Sequence, residues 1–149
     1  MTTAKVLGLT LLASASLTAS ASMAGTAAVG GRPFTVQMTG AAERPGPGDP
    51  DGSGTAKLTL NHGQGRVCYE ITVSNIGEPT MAHIHEAGVN SPGPIVVPLF
   101  VTSGTTMKGC VTADREEIKE IIQKPGEYYT NVHNAEFPAG AIRGQMAKK

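Results

Sequence analysis

A chain of 149 residues with 12 Lys and Arg against 12 Asp and Glu carries no net charge at pH 7. That balance supplies neither a basic stripe for nucleic acid nor a cationic patch for an anionic membrane surface. Glycine (19) and proline (10) are abundant, aromatic residues make up 4 % and tryptophan is absent, so short elements joined by turns are expected rather than long helices.

The first 24 residues read as an export signal that is cleaved from the mature protein. Lys5 precedes an apolar run over 6–12 that continues weakly to Leu17, and small residues lead to a small-x-small cleavage site near Ala21 or Ala24. The apolar run is shorter than the roughly 20 residues a bilayer crossing needs, and no later segment is long and apolar enough for a transmembrane helix. About 120 residues then remain, enough for one domain with one core. That domain is placed at 33–147, behind a flexible leader at 25–32. Loss of Lys5 leaves 11 Lys and Arg against 12 acids, so the mature chain stays near neutral.

Residues 33–39 alternate, with Phe34, Val36 and Met38 on one face, as a half-buried strand does. Residues 43–54, with four Gly and three Pro, form a loop in which Asp49 and Asp51 read as solvated acids. Residues 55–60 and 67–73 are alternating strands joined by the His62-Gly-Gln-Gly65 turn, a β-hairpin. A short strand at 81–86 follows. Residues 95–101 are apolar and β-branched, a buried strand in which Pro98 marks a bulge or an edge. A short strand at 107–111 carries Cys110. Residues 114–123 are the one convincing helix: Asp114 caps it, Glu117 completes a capping box, Ile118, Ile121 and Ile122 form its apolar stripe, and Pro125-Gly126 ends it. Strands at 127–134 and 141–146 close the chain. The pattern predicts an all-β fold, an antiparallel Greek-key-like β-sandwich with one short helix.

The two cysteines, Cys68 and Cys110, are expected to pair, because export places them in an oxidising compartment. A pair of metal thiolates is the weaker alternative, since the cysteines lie far from each other and from the histidines in sequence.

Three of the four histidines fall in two strands, Met81-Ala-His83-Ile-His85-Glu86 and Tyr129-Thr-Asn131-Val-His133-Asn134. Side chains two apart in a strand share a face, so His83 and His85 can chelate one ion, and His133 can complete a three-histidine site with an open position. The plain alternative is three ordinary strand histidines. Tyr129 and Asn131 share the face of His133 and are placed to fix its tautomer. Imidazole-only ligation suits copper or zinc. His62, in a turn, reads as solvated, as does Glu136, while Glu86 points away from His85. Met81 shares the histidine face and reads first as core packing, second as an axial ligand. Arg143 reads first as a brace for loop carbonyls and second as a charge that draws an anion. No serine lies in a nucleophile-elbow context.

The segment Ala82-His-Ile-His-Glu-Ala-Gly88, the Tyr-x-Asn-Val-His strand and the run Pro138-x-Gly140-x-Ile142-Arg143-Gly144-Gln145 together resemble the chordin-type (CHRD) domain family. The resemblance spans about 33–147 and implies an extracellular all-β sandwich. A fainter likeness to copper/zinc superoxide dismutase would put His83, His85 and His133 in the copper-ligand places and Arg143 beside them. That likeness lacks the bridging histidine and the zinc subsite. The expected function is a secreted binding module with a three-histidine copper or zinc site. A dismutase-like copper redox enzyme and a metal-free extracellular adhesion or matrix module are the alternatives.

Overall fold

The computed structural model describes residue 1 and residues 30–148. The expected signal segment, beyond Met1, and the first part of the leader lie outside the described residues. Eight strands form one antiparallel sheet: β1 (Arg32–Thr39), β2 (Ser53–Asn61), β3 (Arg66–Ser74), β4 (Pro79–Glu86), β5 (Ile95–Leu99), β6 (Thr106–Thr112), β7 (Tyr128–Asn134) and β8 (Ile142–Gln145). Their spatial order is β5-β4-β7-β8-β1-β2-β3-β6. Only β1-β2-β3 run as a simple meander. Each of β4, β6 and β7 is reached by a crossing connection, and the sheet curls until its edges, β5 and β6, approach each other. The Tyr69 hydroxyl donates across that gap to the Phe100 carbonyl at 2.8 Å. The result is a nearly closed, Greek-key-like sandwich, as the strand pattern predicts.

The interior follows from alternation. Phe34, Val36 and Met38 of β1 meet Ala56, Leu58 and Leu60 of β2, then Tyr69, Ile71 and Val73 of β3, all buried. The β2–β3 register pairs Leu58 with Tyr69 and Ala56 with Ile71, so a slip by one residue would turn this whole set to water. The helix α1 (Arg115–Gln123) bridges β6 and β7 and buries Ile118 and Ile121 against the same core, each contributing about 2 kcal/mol by area. The Asp114 side chain accepts from the backbone N–H groups of Glu116 and Glu117. The reciprocal half of the predicted capping box does not form: the Glu117 carboxyl meets Tyr128 instead, and burial raises its pKa. Cys68 and Cys110 lie opposite each other in β3 and β6 and form a disulfide.

Two expectations change. The apolar segment at 95–101 is an edge strand, with Ile95 and Phe100 (74 %) exposed and only Val97 and Leu99 buried deeply. Pro98 fits that edge, where its missing N–H leaves no ladder bond unmade. Asp49 is buried, not solvated, because its loop folds back onto the chain before β8: the Asp49 N–H donates to the Ala141 carbonyl at 2.9 Å. Among the described residues no helix is long and apolar enough to cross a membrane.

Candidate metal centre

Register brings the three histidines together. In β4 and β7, Met81 lies opposite His133, His83 opposite Asn131 and His85 opposite Tyr129. Directly paired residues share a face, so all six side chains stand on one side of the sheet. The β7–β8 register adds Arg143, opposite Asn131, and Gln145, opposite Tyr129. The other side of these strands presents Ala82, Ile84, Val132 and Ile142 to the core. The polar face is therefore the outer face, yet His83 (7 %), His85 (7 %) and His133 (6 %) are almost solvent-free.

Loops supply the cover, and the polar side chains satisfy them. Arg143, 1 % exposed, donates to the carbonyls of Ser91 and Gly88, both at 2.9 Å. Gln145 Nε2 reaches the carbonyls of Ala87 and Tyr128 at 2.8 Å. The Gly93 N–H donates to the Tyr129 hydroxyl at 3.3 Å. Gly93 packs so closely on the Glu86 carbonyl that a Cβ would collide with it. Tyr129 stacks on the His85 ring, 4.7 Å between centroids and 4° from parallel, and the Arg143 guanidinium lies 3.4 Å from the centre of the same tyrosine ring. Arg143 is thus a brace for the 87–94 loop. With its donors on carbonyls and on Gln145, it does not face outward as an anion guide.

Hydrogen bonds fix the histidine tautomers. His85 Nδ1 is 2.9 Å from the Gly93 carbonyl and His133 Nδ1 is 3.0 Å from the Pro138 carbonyl. A carbonyl only accepts, so both Nδ1 atoms carry the proton and both Nε2 atoms carry lone pairs. His83 Nδ1, 3.1 Å from His133 Nε2, then donates to it. His85 Nε2 is buried with no partner. Burial lowers all three pKa values. That of His83 falls to about 4, through desolvation first and then through the neighbouring His133 and His85. For His85 and His133 desolvation again leads, against the backbone carbonyl bonds that favour charge. All three are neutral at pH 7, the form that coordinates metal.

One ligand atom from each histidine lies within 4.8 Å of the others. Two nitrogens about 2.0–2.1 Å from a shared tetrahedral ion stand about 3.3 Å apart, close to the 3.1 Å that separates His83 Nδ1 from His133 Nε2. That pair fits one ion, which would take the place of the proton between those atoms; the trio's 4.8 Å spread exceeds the roughly 4.2 Å that two such bonds can span, so the third ring would have to turn inward to bring its donor to the ion. Carbonyl-anchored Nδ1–H groups, which fix imidazole direction at metal sites generally, are in place for two of the three.

Asn131, predicted beside His133, lies opposite His83, and its buried Oδ1 has no partner. Met81 is neither core nor capped; it is exposed beside His133. His62 is exposed and outside the cluster, and Glu136 and Glu86 are exposed. Sequence reasoning missed Glu43. The residue is 3 % exposed and its carboxyl pKa is pushed up to about 7, chiefly by desolvation, against the pull of the Arg44 N–H, Arg143 and Asn131. Nothing in the Ala-Ala-Glu-Arg-Pro stretch marks that acid as buried.

The eight strands thus form an antiparallel sandwich with a loop-covered polar outer face. A family model described as the CHRD domain matches residues 34–146, and the chain belongs to that family. No curated protein and no solved structure matches it.

Proposed function

We propose that the protein is an exported CHRD-domain binding module, the domain spanning 33–147, that holds one copper or zinc ion through His83, His85 and His133. The observation that carries this reading is a trio of buried, neutral imidazoles with donor atoms within 4.8 Å of each other and an unpartnered His85 Nε2. An unpaired buried polar atom costs about 1–3 kcal/mol, which an ion would offset. Tyr129, Asn131 and Arg143 support the site by stacking on His85, facing His83 and fastening the covering loop. Bound copper or zinc would supply a Lewis-acidic centre with an open position. The signal-peptide layout of 1–24 and the Cys68–Cys110 disulfide support export and a role in metal handling at the cell envelope or outside the cell. The dismutase-like alternative draws less support, because Arg143 is committed to loop carbonyls.

Metal analysis of untagged protein after copper or zinc loading tests this. One equivalent in the wild type and none in His83→Ala or His133→Ala is the expected result. A wild type that takes up no metal leaves the metal-free adhesion or matrix module. Superoxide consumption above that of free copper would instead favour the redox enzyme.

A further inference from the structure

Beside the histidine cluster a slot of about 220 Å³ opens between two loops, 43–47 and 136–140. Pro45, Pro47, Phe137 and Pro138 give it apolar walls, and Glu136 and Arg44 also line it. Glu43 belongs to its lining, and its carboxyl lies against Gly140, also in the lining, so closely that a Cβ there would overlap it. Gly140 has φ +142°, which side-chain-bearing residues rarely adopt. The glycine thus makes room for the acid.

Glu43 Oε1 is buried with no hydrogen-bond partner. The Arg44 N–H and the Asn131 side chain act on the carboxyl without satisfying that oxygen, and neither neighbouring guanidinium fills the vacancy. Arg44 Nη1 donates to the carbonyls of Ala41 at 3.1 Å and Glu43 at 2.7 Å, and Arg143 holds the 87–94 loop. An acceptor buried without a donor is costly, and a ligand that brings a donor recovers that cost. One free oxygen suits a point donor better than the planar fork of a guanidinium. A single carboxylate among prolines offers too few oxygens for calcium or magnesium. Glu136 balances Arg44 in the lining, so the lining turns net negative as Glu43 ionises above about pH 7, and the slot has the volume of about seven waters at ~30 Å³ each.

We propose that this slot binds a small primary ammonium compound with an apolar body, its N–H donating to Glu43 and its chain lying against the prolines and Phe137. The site is separate from the metal reading, so it is tested on metal-free protein, and the failure of either leaves the other standing.

The probe is n-butylammonium chloride, followed by backbone amide resonances. The expected result is a saturable shift confined to 43–47 and 136–140, at least tenfold weaker in Glu43→Gln, as for loss of one charge-assisted hydrogen bond. Tetramethylammonium, which keeps the charge but has no N–H, should bind weakly by the same factor. Absent, unsaturable or scattered shifts, or equal affinity in Glu43→Gln, overturn the proposal and leave a slot that holds water. Should Glu43→Gln not fold, the wild type decides. Its affinity should rise about tenfold between about pH 6 and pH 8 as Glu43 ionises, with His83 neutral throughout. A flat profile overturns it.

Discussion

In β3 burial alternates residue by residue, whereas in β7 all seven residues are buried. The difference separates two halves of one sheet. The β1-β2-β3-β6 half has a core face and a wet face, and its second face is held by a disulfide and exposed side chains. The β4-β7-β8 half has a core face and a face roofed by loops. A loop lying on a sheet brings carbonyls that water no longer reaches, and each needs a donor. Arg143, Gln145 and the His85 and His133 Nδ1–H groups are those donors. The polarity of this face is thus a structural requirement first, and the ligand-ready lone pairs are what the requirement leaves over.

The contrast can be broken from either side. The largest effect is expected in the first half: replacing both cysteines by serine should cost about 4 kcal/mol for a closed loop of this length, measured by denaturant unfolding, with metal stoichiometry unchanged. If metal is lost as well, the halves are not independent. In the second half, Arg143→Met should cost about 3 kcal/mol, because it strands the Gly88 and Ser91 carbonyls in a buried setting. It should also weaken metal retention, whereas the cysteine variant should not. A stability loss without any effect on metal would confine Arg143 to the fold.

pH sharpens the comparison further. In the metal-free protein His83, His85 and His133 bind protons less readily folded than unfolded, His83 falling from 6.5 to about 4. Between those values the unfolded chain holds more protons, so stability from this group is complete above about pH 6.5 and is lost as pH falls toward 4. Glu43 acts in the opposite sense. Its carboxyl, raised from 4.5 to about 7, stabilises the folded chain least once it ionises, so Glu43→Gln should gain melting temperature relative to wild type at pH 8 and little at pH 4. Melting curves of both variants across pH 4–8 check the two signs. Equal pH profiles in wild type and His83→Gln would show that the cluster does not govern acid stability. The smallest effect, about 1 kcal/mol, is expected for Asp114→Ala, which removes the cap of α1, and it should leave both the metal and the slot untouched.

Much of this was legible in the chain itself. Alternation located the strands, capping and the isoleucine stripe located α1, and the two-residue spacing of His83 and His85 announced one shared face. The face of Tyr129, Asn131 and His133 was legible too, since period-two geometry is local. The exposure of Ile95 and Phe100 was not, because an apolar residue on or beside an edge strand reads like one in a central strand; nor was that of Met81, which stands on the outer face of β4. Nor was the burial of Glu43 and Asp49, whose environment comes from the 136–141 segment lying almost a hundred positions later in the chain.

The amino-acid order by itself determined the strands, their faces, the helix and the presence of three histidines and two cysteines in strand segments, since each depends on neighbours a few positions apart. Which strands pair, that β4 lies beside β7, that His83 Nδ1 meets His133 Nε2, and that loops close over a polar face and bury the Glu43 carboxyl were decided by tertiary structure alone. These depend on crossings between distant segments, where register, not composition, sets which side chains meet.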